Sequence, residues 1–179
     1  KLVSGGASVN VRDQDGETPL YRAARWGNTD LVAFLVEKGA DVKTVNNDGY
    51  APVHGAALYG DTDVLKYLVR SGADVNVENK DGATPLHWAA WNGHADATQY
   101  LVETGAGITA KNKYGSTPLH EAAGNGYTKA VACLVERGAD VTVTNDCGET
   151  PLHKAAWNGH ARTASYLMKN GANVKAKDK

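Results

Sequence analysis

Short apolar clusters alternate along the whole chain with polar breaks built on glycine, and residues 79–111 show the unit. Asp81-Gly82 is a turn signal, because glycine supplies the positive φ that tight turns need. Thr84-Pro85 then predicts a helix start. Threonine caps free N–H groups, and proline fits the first helical position, where the N–H it lacks would be unpaired anyway. Leu86, Ala89 and Ala90 give this helix an apolar face of mostly small side chains, which lets a neighbouring helix approach closely. Asn92-Gly93 ends it. A second helix is predicted from about Ala95 to Glu103, anchored by Tyr100, Leu101 and Val102 and stopped by Gly105. Ile108-Thr109-Ala110, β-branched at its start, reads as a brief extended segment leading to the next turn.

The unit recurs. Turn glycines fall at Gly16, Gly49, Gly82, Gly115 and Gly148, a spacing of 33 residues, and Pro19, Pro52, Pro85, Pro118 and Pro151 follow in step. A fixed period of this size predicts a solenoid in which each unit buries its apolar faces only against its neighbours. Little chain is left for a separate catalytic domain.

The phrases DGATPLHWAAWNGH (Asp81–His94), YGSTPLHEAAGNGY (Tyr114–Tyr127) and CGETPLHKAAWNGH (Cys147–His160) resemble the ankyrin repeat, as do the closing segments Gly39–Val42, Gly72–Val75 and Gly138–Val141. The resemblance covers essentially the whole chain. It implies one all-α domain over 1–179, a solenoid of helix-turn-helix units with short β-hairpin tips. Full repeats fall at 13–45, 46–78, 79–111 and 112–144, the fifth with the stub of a next at 145–179, and the end of a preceding repeat at 1–12.

Departures from the repeat locate expected weak points. Tyr21 stands where His54, His87, His120 and His153 stand in the other repeats. Ala51 replaces the capping threonine of the second repeat, and Gly55 lies inside its first helix. Ala97, Thr98 and Gln99 occupy larger apolar positions of the third repeat, where Gly107 also replaces an aspartate, so that repeat is expected to be softer.

Composition narrows the chemistry. A formal net charge of −1 and a pI near 6.6 lack the basic excess of a general phosphate-binding surface, so no nucleic-acid partner is expected. The two cysteines, Cys133 and Cys147, have no metal or disulfide spacing, which suits a reducing, intracellular compartment, cytoplasmic or nuclear. Cys133 reads as a core residue and Cys147 as an exposed tip residue. No apolar run reaches membrane-spanning length, so no membrane insertion is expected. No nucleophile elbow, phosphate loop or H-E-x-x-H occurs, and a ladder of histidines along a solenoid cannot close a tetrahedral zinc site. The expectation is no catalytic residue, no cofactor and no metal. In the resemblance, His54, His87, His120 and His153 make structural hydrogen bonds, while His94 and His160 read as supports of the inter-helix turn.

What remains is surface. The resemblance implies a protein partner, either a folded surface or an extended segment, held on a concave face of tips and inner helices by a scaffold or adaptor. Matched positions supply Arg25, Trp26, Tyr50, Tyr59, Trp88, Trp91, Asn92, Tyr114, Asn125, Trp157 and Asn158 as partner-binding candidates. Trp and Tyr bury much area with few rotors, which makes them frequent binding anchors. Trp26, Tyr59, Trp91 and Trp157 are read as one aromatic stripe, with packing between repeats as the competing reading. Duplication explains why Ala89–Ala95 recurs unchanged at Ala155–Ala161. It does not explain Trp26 or Tyr59.

A start inside a repeat raises a second functional reading, the targeting or autoinhibitory arm of a larger enzyme, receptor or channel. The chain is expected to be monomeric, with end-to-end stacking possible at exposed apolar end faces. Leu68 followed by Gly72–Asn76 also resembles the repeat pattern used by asparaginyl hydroxylases, which makes Asn76 a candidate acceptor.

Overall fold

The computed structural model describes residues 8–178. Its ten described helices come in five pairs: α1 (Pro19–Arg25) with α2 (Thr29–Glu37), α3 (Pro52–Tyr59) with α4 (Thr62–Arg70), α5 (Pro85–Trp91) with α6 (Ala95–Glu103), α7 (Pro118–Gly124) with α8 (Thr128–Glu136), and α9 (Pro151–Trp157) with α10 (Ala161–Lys169). The partial repeat expected at 1–12 lies mostly outside the described residues, as does Lys179. Asn10 lies within them. Its amide donates to Gly39 O at 3.2 Å and accepts from Asp41 N–H at 2.9 Å, as Asn76 does with Gly105 and Gly107 two interfaces later.

Each odd helix starts at proline after an extended residue, as its sequence predicts. Its buried face is largely alanine: Ala23 and Ala24, Ala56 and Ala57, Ala89 and Ala90, Ala122 and Ala123. The even helices bury larger groups, such as Leu35, Leu65 and Leu68, Leu101, Leu134 and Leu167. Odd helices therefore sit closer to one another than even ones. Gly55 marks a close approach between two of these helices. A Cβ there would meet Arg25 N, Cα and Cβ at 3.2 Å, so this glycine, destabilising as a helix former, removes a clash between α1 and α3.

The tips differ from the expected hairpins, for the described residues contain no strand. A side-chain oxygen closes each tip instead, from Asp13 in the first repeat and from an asparagine in the other four. Asn79 Oδ1 accepts from Asp81 and Ala83 N–H at 2.9 Å each, and Asn46, Asn112 and Asn145 repeat the arrangement. Successive tips are joined by backbone bonds such as Lys80 N–H to Asp48 O (2.9 Å) and Lys113 N–H to Asp81 O (2.7 Å), too sparse for a ladder. Ile108-Thr109 is likewise a turn, not an extended segment, with Ala110 N–H donating to Gly107 O at 3.1 Å.

The histidines bridge repeats. His87 Nδ1 lies 3.1 Å from Thr84 N and 2.9 Å from Thr84 Oγ1, while its Nε2 lies 3.1 Å from Ser116 O of the next repeat. A backbone N–H can only donate and a carbonyl can only accept, so the ring is neutral with its proton on Nε2. His54 and His120 bridge in the same way to Ala83 O and Glu149 O. Burial pushes His54 and His87 down to about 4, and His120 down as well. His54 also accepts the Ala51 N–H, so loss of the threonine leaves that donor paired. His94 and His160 do more than support a local turn: each reaches back to the preceding repeat, at Leu58 O and Gly124 O, 3.0 Å in both cases.

Candidate interaction face

The odd-helix ends and the tips enclose one groove of about 400 Å³ across the third to fifth repeats. Trp88, Trp91 and Tyr114 wall it, and Asp81, Glu121, Glu149 and Lys154 supply its charges. Trp91 is held at the end of α5, where Asn92 caps the helix and folds its own amide back onto Trp88 O at 3.0 Å. Tyr114 sits on the next tip, 60% exposed, with Lys113 Nζ 4.9 Å from its ring centre. Lys113 also pairs with Asp81 at 2.6 Å, so this charge pair holds two successive tips in register.

Glu121 is the unusual group. It is buried on α7, where Asn112 donates to its Oε1 at 3.0 Å, and desolvation raises its carboxyl above the usual range against the pull of Lys154. Neither Glu121 nor Lys154 was among the expected site residues. The signal was present in the repeats: the corresponding positions carry Arg22, Gly55, Trp88, Glu121 and Lys154, five different chemistries at one register of an otherwise uniform pattern.

The expected aromatic stripe divides into two groups. Trp26 and Tyr59 lie with ring centres 5.8 Å apart, and Arg25 stacks 5.9 Å from both while its other side meets Glu17 at 3.8 Å. Trp91 and Trp157 stand one register position earlier, with Gly124 between them, and no ring contact joins either to Tyr59 among the described residues. Tyr50 links tip to helix differently, edge-on to His54 at 5.5 Å and 5.6 Å from Trp88. Trp88 Nε1 and Arg25 Nε are buried without a partner. The three asparagines spend their amide N–H on carbonyls: Asn92 on Trp88, Asn125 on Glu121 and Asn158 on Gly124.

Other candidates settle differently. Cys133 is half-buried on α8 rather than in the core, since the tyrosine register it occupies faces outward, and burial raises its thiol. Cys147 is exposed at its tip, on the groove wall. Among the described residues no group of His, Cys, Asp and Glu is placed to hold a metal, and no helix is long and apolar enough to cross a membrane.

The family model for ankyrin repeats (3 copies) matches residues 1–79, 53–145 and 106–178. The chain belongs to the ankyrin-repeat family. Among curated proteins, none matches the chain significantly. Ankyrin repeats are in general protein–protein interaction modules and are typically non-catalytic.

Proposed function

We propose that this chain is a non-catalytic scaffold or adaptor that binds a partner protein inside the cell through its concave face, the side of the odd helices and tips. The observation that carries the reading is the concentration of exposed aromatics on that face. Trp26 is 72% exposed, Tyr59 46%, Trp91 47%, Tyr114 60% and Trp157 88%, beside a groove of about 400 Å³. Large rings left in water at such positions cost solvation that a partner recovers by covering them. The preformed stack orders little on binding, so more of that gain appears as affinity.

Affinity capture from lysate, comparing the native chain with a Trp26→Ala/Trp91→Ala/Trp157→Ala variant, tests this. All three rings are exposed, so the variant is expected to keep the native helical signal and midpoint. The expected result is a protein retained by the native chain and lost by the variant. Equal retention by both would remove the concave aromatics from the site.

A further inference from the structure

The structure assigns a second interaction surface on the opposite side, a basic cleft between the outer helices α8 and α10 that accepts an acidic extended segment of a partner protein. It does not depend on the concave-face reading. Two adjoining hollows lie there, of about 410 and 380 Å³, sharing Thr128, Lys129 and Arg162 as walls. Lys169 completes the second, and no Asp or Glu lines either one. Lys129, Arg162 and Lys169 are exposed and have no ion pair among the described residues, whereas Lys66, Lys113 and Arg137 all pair with carboxylates. The carboxylates nearest in register, Asp96 on α6 and Glu136 at the end of α8, stay outside the cleft.

This basic surface replaces an acidic one. At the register of Lys129 and Arg162, the first three repeats carry Asp30, Asp63 and Asp96. Aspartate in a first helical turn complements the helix dipole and a cation opposes it, so α8 and α10 carry residues that local stability disfavours. Such violations are expected where a surface serves another purpose.

Geometry selects the occupant. Adjacent helices place Lys129 and Arg162 roughly 8–10 Å apart, and seven residues of helix place Lys169 about 10 Å from Arg162 along α10. That spread is too wide for one phosphate group. A polyproline II segment rises about 3.1 Å per residue and turns every three, so carboxylates at every third position lie on one edge about 9 Å apart. Alanine and tyrosine between the cations, Ala132 and Tyr166, offer apolar contact to the residues between those acids.

The probe is a fluorescein-labelled peptide of three Glu-Pro-Ser units, read by anisotropy against the whole chain at low and at physiological salt. The control is an isomer of equal composition with its glutamates contiguous. The native chain is expected to bind the spaced peptide severalfold more tightly than the isomer, and less tightly as salt rises. Lys129→Ala/Arg162→Ala/Lys169→Ala is expected to weaken binding about tenfold, while Lys43→Ala/Lys80→Ala/Lys175→Ala, which removes the same charge elsewhere, changes it less than about twofold. No binding by the native chain, equal binding of the two peptides, or equal loss in both variants overturns the proposal. Tighter binding of a single-stranded DNA dodecamer than of the spaced peptide would overturn it too, by assigning the cleft to phosphates.

Discussion

The third and fifth repeats contain the same seven residues, Ala89–Ala95 and Ala155–Ala161, in different surroundings. In the third, Ala90 is fully buried and Trp91 is 47% exposed; in the fifth, Ala156 is exposed and Trp157 is 88% exposed. The two asparagines also diverge. Asn92 folds back onto its own helix at Trp88 O, whereas Asn158 crosses to Gly124 O of the preceding repeat at 2.8 Å, where no side chain intervenes. Identical local sequence sets the same helix ends in both. What those helices touch is decided by the repeats on either side.

The largest expected consequence is a pH dependence carried by interior repeats. His54 and His87 stand near 4 in the fold against an ordinary 6.5, so the unfolded chain takes up protons first as pH falls. Their contribution is complete above about 6.5 and is lost as pH falls toward 4. Between pH 7 and 5 each is expected to lose on the order of 2 kcal/mol. His120 shifts the same way and adds to the loss, while Glu121, raised by burial, acts in the opposite direction. Urea midpoints across this range check the effect. A flat profile, or one preserved in His54→Gln/His87→Gln, would show that these rings are not buried neutral.

Next in size is the difference between two rungs. Replacing His87 by alanine strands Thr84 N–H and Ser116 C=O in a buried interface, an expected loss of about 3 kcal/mol. His153 makes matching bonds to Thr150 N–H and to Ala176 O at 3.0 Å, but it is half-buried, and water can replace it. The expected loss for His153→Ala is about 1 kcal/mol. Equal losses in chemical denaturation would mean that a rung's neighbours do not set its strength.

Much of this was legible in the sequence because it is periodic. Thr84-Pro85, Asn92-Gly93 and the limits of α6 follow from capping and turn chemistry that acts within a few residues. The tips were misjudged because side-chain oxygens, rather than a strand ladder, take up their N–H groups. The site was less legible for the same physical reason. Trp26 and Tyr59 meet through adjacency of repeats, and Glu121 and Lys154 reach the groove through a register visible only when repeats are compared position by position. The charge reversal at Lys129 and Arg162 emerges from that comparison as well.

The smallest expected effect lies at one atom of the third repeat. Thr98 is fully buried on α6, where Val32, Leu65 and Val131 stand in other repeats and the fifth has the half-buried Ala164. Its Oγ1 has no hydrogen-bond partner, the physical basis for expecting this repeat to be softer than its neighbours. Thr98→Val keeps the shape, removes the unsatisfied hydroxyl and adds apolar burial, and is expected to stabilise the chain by about 1 kcal/mol. Hydrogen exchange should slow along Ala95–Glu103 more than along α10, because the gain arises inside the third repeat. A destabilised variant would show that the hydroxyl has a partner in solution. Uniform slowing along the stack would instead show that the repeats open together, so that one buried oxygen weakens the whole array rather than its own repeat.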